Sequence, residues 1–214
     1  MLKITRSAVS LLPASQQFAM HFHDPIQRVV DPLNYLKYKM KVIDNARESY
    51  ENASSQFSLQ APLVTRLGIP VKFETWFSWT LMHLWIQNCK TRTMGKFGAD
   101  YHQEIFNHIW YLSLDLRLDV EMKLHQAKIK SSINKITADL LESYYGAMLS
   151  YDEGLYNGGP TLASALWRNV LYSRTDVSAQ QIEMLLEYTV KELNHMDKNT
   201  FDAELRFTNV ATQI

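Results

Sequence analysis

Seven histidines and a single cysteine are the side chains of this 214-residue chain best suited to bind a metal or attack a carbonyl. In a helical bundle a metal is held by Glu and Glu-x-x-His positions that project into the core. Glu104 and His108 stand four apart, and Glu192-Leu193-Asn194-His195 is an E-x-x-H match. A di-metal carboxylate centre needs two such motifs with further carboxylates, and one does not suffice. Cys89 has Lys90 and Arg92 beside it. Neighbouring cations depress a thiol pKa, but no base or oxyanion hole accompanies it. A buried or semi-buried structural cysteine is the better reading. The chain has no G-x-S-x-G, no Walker A and no dinucleotide fingerprint. Gly158-Gly159-Pro160 lacks the Lys-Ser/Thr of a phosphate cradle and reads as a corner between helices. The sequence therefore assigns no catalytic residue, no metal and no cofactor.

Other polar positions suit recognition better than turnover. Asp152 and Glu153 are adjacent carboxylates near a predicted helix C-terminus, where the macrodipole disfavours negative charge. An ion pair with a base such as Arg168 would explain them, and so would a recognition patch. Acid catalysis ranks third, because nothing nearby would separate two carboxyl pKa values. His83, one turn after Trp79, reads as a hydrogen-bonded core histidine. Trp76 and Trp79 read as core too. Trp85 and Met82 fall on the more polar side of their helix, where aromatic residues act as interface anchors.

These residues require helices to place them. Asp31-Pro32 is a cap followed by Pro at the first helical position, and the helix it opens runs to about Glu51, with Leu33, Leu36, Met40 and Ile43 at helical spacing. Residues 52–70 read as a connection with a helical turn near Val64, ending at Gly68 and Pro70. From Phe73 to about Thr93 the chain is apolar almost all round, the pattern of a buried or partner-covered helix. Gly95 and Gly98 close it. Residues 99–123 carry two patterns. Leu112, Leu114, Leu116, Leu118 and Val120 alternate like a strand, whereas Ile105, Ile109, Leu112 and Leu116 keep helical spacing. A lone strand among helices has no partner, so helix is expected. Further helices cover Ser132–Tyr156, the segment opened by Pro160, and the segment from the Ser178/Gln181 capping box to about Met196.

Composition agrees: hydrophobic residues make up 46%, with only 7 Gly and 6 Pro. The net charge of +0 gives no electrostatic reason to expect DNA binding. One cysteine excludes an intrachain disulfide and fits a reducing compartment. The longest apolar stretch, Trp76 to Ile86, is too short to span a bilayer. No acidic residue precedes Asp24, while Lys3, Arg6, Ser7, Ser10 and Ser15 accompany Leu2, Val9 and Leu12. That is the pattern of a mitochondrial transit segment.

Two blocks carry a resemblance. Trp76-Phe77-Ser78-Trp79-Thr80-Leu81-Met82-His83-Leu84-Trp85 is similar to the W-F-x-x-T-x-x-H-x-W segment of the ubiquinol–cytochrome c chaperone family. Tyr151-Asp152-Glu153-Gly154-Leu155 and then Leu162-Ala163-Ser164-Ala165-Leu166-Trp167-Arg168-Asn169 resemble its Y-D-E-G-L and L-A-x-A-L-W-R-N blocks, in the same order. Asp115-Leu116-Arg117 also resembles the family, whereas Asn157-Gly158-Gly159-Pro160 departs from it by lacking an acidic residue.

The resemblance implies a non-catalytic mitochondrial chaperone in respiratory complex III assembly. Such a protein works with a small dedicated partner subunit, newly made cytochrome b and the mitochondrial ribosome, in the matrix with peripheral contact to the inner membrane. The expected fold is all-α, a single compact multi-helix domain with an N-terminal targeting-like extension. The expected division is 1–23 targeting, 24–62 first helix and connection, 63–197 chaperone domain and 198–214 tail. Candidate partner or client contacts are Met82, Trp85, Tyr151, Asp152, Glu153 and Arg168. The alternatives are a small helical enzyme using His83, His108 or His195, and a structural subunit of a larger complex.

Overall fold

A computed structural model describes residues 32–107, 133–198 and Phe207. Among them are seven α-helices and no strand, as expected of an all-α chain: α1 Pro32–Leu59, α2 Ala61–Arg66, α3 Phe73–Thr91, α4 Gly95–Asn107, α5 Ile133–Asn157, α6 Gly159–Asn169 and α7 Ala179–Lys198. The expected targeting segment, the cap at Asp31, the Asp115–Arg117 match, His108 and the ambiguous residues 108–123 lie outside the described residues.

The first helix runs past its expected end near Glu51, because its buried face continues. Val42, Ala46, Ser49, Tyr50, Ala53 and Phe57 recur at intervals of about 3.6 residues and turn inward. Leu33, Leu36, Met40 and Ile43 lie on a different side and face outward. Their spacing marks the helix, but they do not supply its core contact.

The hub of the fold is α3. Fifteen of its 19 residues are buried, because α1, α4, α5 and α7 all pack around it. The N–H of Lys72 donates to Thr75 Oγ1 at 3.1 Å at its start, and the chain leaves it after Thr91. Gly98 does not terminate this helix but lies inside α4, where a Cβ would come 1.8 Å from the Thr91 carbonyl oxygen. Phe57 of α1 meets Trp79 edge-on at 6.3 Å, and Tyr188 of α7 stacks on its other side at 5.6 Å. Side chains of this size each contribute about 1.5–3 kcal/mol or more when fully removed from water.

Helices α6 and α7 start where the sequence signals predict. Pro160 sits in the first turn of α6. Gln181 N donates to Ser178 Oγ and Ser178 N to Gln181 Oε1, the reciprocal capping box that opens α7. Between α6 and α7 the chain turns through Tyr172 and Ser173, both at positive φ. That costly geometry is fastened by the Tyr172 hydroxyl, which donates to the Glu74 carbonyl at 2.6 Å and thereby ties the turn to the start of α3.

Candidate functional site

The two resembling blocks meet at the C-terminal half of α3. Trp85 Nε1 donates to Asp152 Oδ1 at 2.8 Å, and Arg92 reaches the same oxygen at 2.6 Å. The Trp85 and Tyr151 rings lie 5.2 Å apart. One carboxylate thus joins α5 to both an indole and a guanidinium of the α3 end. Burial alone would weaken the Arg92 charge, but the hydrogen bond and charge of Asp152 more than offset this and raise its pKa. The expected partner Arg168 is exposed on α6 instead. Arg92 takes the role because the chain reverses after α3 beside α5, a proximity that sequence distance hides.

Of the six candidate contacts, three are interior. Met82, Trp85 and Tyr151 are fully buried. The expectation that Trp85 and Met82 sit on a polar surface is corrected here. The polar side of α3 is itself covered, with Gln87 Nε2 donating to the Ser49 carbonyl and Asn88 Oδ1 accepting from His102 Nδ1. Met82 Sδ accepts from the Thr189 hydroxyl on α7. Asp152 and Glu153 reach solvent on α5, the first with its carboxylate about a quarter exposed (27%).

Sequence reasoning missed a neighbouring feature. Tyr145, Leu149 and Tyr156 on α5 are large and exposed. At about 100° per residue they share one narrow stripe with Asp152, flanked by Glu142 and Glu153. The signal was available in the i, i+4, i+11 spacing. It is hidden because Tyr144, Ala147, Met148 and Tyr151 make the adjoining, buried face of α5 apolar as well.

The residues suited to chemistry are placed as structural groups. His83 is fully buried, with Nδ1 2.7 Å from the Trp79 carbonyl and Nε2 2.7 Å from the Tyr188 hydroxyl. The carbonyl can only accept, so Nδ1 carries the proton and Nε2 accepts from Tyr188. Burial pulls its pKa to about 4, against a small opposing effect of the Trp79 carbonyl. His102 is likewise drawn to about 4, by burial and then by Arg92, with Asp152 opposing. Burial pushes the Cys89 thiol up to about 12 despite Arg92, the opposite of an activated nucleophile. Glu192 is buried. Among the described residues no group of three His, Cys, Asp or Glu side chains is placed to hold a metal, and no helix is long and apolar enough to cross a membrane.

The two histidines give a pH prediction. Their folded pKa values lie below the ordinary 6.5, so the unfolded chain binds the protons more readily. Stability is complete above about pH 6.5 and falls as pH drops toward 4. From pH 7 to pH 5 the buried His83 should cost about 2 kcal/mol, and the partly exposed His102 less. Urea midpoints at the two pH values check this, and the loss should shrink in His83→Gln. Equal midpoints would contradict the neutral, buried assignment.

Residues 65–211, more than half of the chain, match the sequence profile of the ubiquinol–cytochrome C chaperone family. The chain belongs to this family. The ubiquinol–cytochrome C chaperones are chaperones by description, which sets aside the small helical enzyme. The chain is 29% identical over 167 residues to the mouse "Ubiquinol-cytochrome c reductase complex assembly factor 1", covering 78% of this chain and 53% of that protein. It is 32% identical over 128 residues to the yeast "Protein CBP3, mitochondrial", covering 59% of this chain and 37% of the yeast protein. Against the Xenopus laevis assembly factor 1 it is 28% identical over 173 residues, with 81% and 80% covered. The match thus spans about half of the mouse protein and about a third of the yeast one. No solved structure matches.

Within the family match, the blocks noted in the sequence acquire physical roles. Trp85 and Asp152 join them by a hydrogen bond. Gly154 lets α5 approach the Leu162 backbone of α6, where a Cβ would lie 2.6 Å from Leu162 Cα. Trp167 Nε1 donates to the Arg174 carbonyl and Asn169 Nδ2 to Ser150 Oγ, which fix the end of α6.

Proposed function

We propose that this protein is a mitochondrial assembly chaperone for the ubiquinol–cytochrome c reductase complex, respiratory complex III. It binds newly synthesised cytochrome b together with a small partner subunit at the mitochondrial ribosome, in the matrix and in peripheral contact with the inner membrane. Family membership and the names of the mouse and yeast relatives support this reading. The observation that carries it is the outward stripe of Tyr145, Leu149 and Tyr156, edged by Asp152 and Glu153. Tyrosines in an apolar strip with a charged rim are the composition of a protein-docking surface. Arg168, exposed on the neighbouring α6, is proposed as a further contact. Trp85 and Tyr151 support this surface from beneath, whereas the buried Met82 faces Thr189 of α7.

Affinity capture from mitochondria under mild conditions, with and without ongoing translation, tests the proposal. Cytochrome b, one small protein and ribosomal proteins should be recovered only while translation runs. Leu149→Glu should reduce that recovery about tenfold or more without altering the fold. Constant recovery of the mature complex alone would instead identify a structural subunit.

A further inference from the structure

The first third of α1 is poorly explained by the core. Leu33, Leu36, Met40 and Ile43 are 63%, 56%, 63% and 40% exposed. At about 100° per residue they fall within a single stripe roughly 80° wide. Scattered surface leucines need no explanation, but a continuous stripe marks an interaction site. The opposite side of the same turns is fastened to the fold. The Tyr38 hydroxyl donates to Asp100 Oδ2 at 2.6 Å, and its ring meets Phe97 edge-on at 6.0 Å. The stripe is therefore held outward by a fixed support.

Its charge identifies the occupant. Between Pro32 and Ile43 stand Lys37, Lys39 and Lys41 and no acidic residue. Lys37 and Lys41 are exposed along one edge of the stripe. Asp44, exposed on that same edge just past Ile43, is the one acid beside the three lysines, so the border is cationic on balance. An apolar strip with a net cationic border fits a surface that is apolar within and negatively charged at its boundary. That is an in-plane seat on an anionic lipid bilayer, in which the leucine side chains enter the acyl region and the lysines meet the headgroups. The acid-edged stripe on α5 has the opposite character and would be repelled there.

We infer that residues 32–43 of α1 are an in-plane binding surface for anionic lipid. This deepens the peripheral inner-membrane contact of the proposed function and rests on that reading for its location in the cell.

The full chain should co-sediment with vesicles of phosphatidylcholine containing phosphatidylglycerol, and not with phosphatidylcholine alone. Raised salt should weaken the binding, as it does for lysine–headgroup attraction. Leu36→Glu with Met40→Glu should lower the vesicle affinity about tenfold or more, and Lys37→Glu with Lys41→Glu should lower it about tenfold. Circular dichroism of all variants should match the parent, since these side chains are exposed. Leu149→Glu on α5 should bind vesicles like the parent, which separates this surface from the protein-docking one. The inference is overturned if the parent ignores anionic vesicles, if the α1 variants bind as well as the parent, or if Leu149→Glu is the variant that abolishes binding. None of these outcomes depends on capture of cytochrome b, so the two readings fail separately.

Discussion

Gly154→Ala should destabilise the protein by about 3 kcal/mol, while Gly146→Ala, two turns earlier on the same helix, should leave it unchanged or slightly more stable. An alanine Cβ at position 154 would stand 2.6 Å from Leu162 Cα and 3.0 Å from Leu162 N. Both are backbone atoms in the first turn of α6, and they can yield only if α5 and α6 separate. Leu162, Ala165 and Leu166 would then lose their burial. At position 146 nothing lies within 4 Å of the added carbon, and alanine favours the helix by up to about 1 kcal/mol. Urea denaturation of the pair isolates the contact from helix propensity. Equal midpoints for the two variants would mean that α5 and α6 do not approach so closely.

The second large effect is expected at Asp152. In Asp152→Ala the indole N–H of the fully buried Trp85 loses its acceptor and Arg92 loses its counter-charge. Stranding one buried donor costs about 1–3 kcal/mol. Breaking the half-buried ion pair adds to this, though solvent at the exposed quarter of both side chains reduces the addition. A total near 3 kcal/mol is expected. Asp152→Asn keeps a carbonyl oxygen for Trp85 and should lose only about 1 kcal/mol. Trp85 fluorescence should shift in the alanine variant and stay near the parent in the asparagine one. If the alanine variant unfolds at the parent's midpoint, the carboxylate serves recognition alone.

How far the sequence was legible depended on whether the signal was local. Caps and turn residues are local, so the starts of α6 and α7 follow from Pro160 and the Ser178/Gln181 box. The hydrogen-bonded core role of His83 also followed, because one of its partners, Trp79, is a single turn away. The face of a helix that turns inward is not local. On α3, Gln87, Asn88 and Thr91 gave the look of a solvated side, yet their partners on other helices allow burial. That is why Trp85 was placed at the surface. On α1 Leu33, Leu36, Met40 and Ile43 turn outward, whereas Val42, Ala46, Tyr50, Ala53 and Phe57 pack inward on another side of the same helix. An ion pair of Asp152 with a base such as Arg168 is one of the sequence readings, whereas the partner found, Arg92, is 60 residues away. The docking stripe on α5 was unread because both faces of that helix carry large apolar side chains.

The central position of α3 also bears on how the chain is made. His83 and its partner Tyr188 are separated by 105 positions, and Tyr188 of α7 also stacks on Trp79. As the polypeptide emerges from N- to C-terminus, Trp79 and His83 are exposed long before their cover has been synthesised. Contacts this distant in sequence slow closure of a helical core, and exposed apolar surface in the interval invites aggregation. A protein proposed to shelter another nascent chain is thus itself incomplete until α7 has left the ribosome.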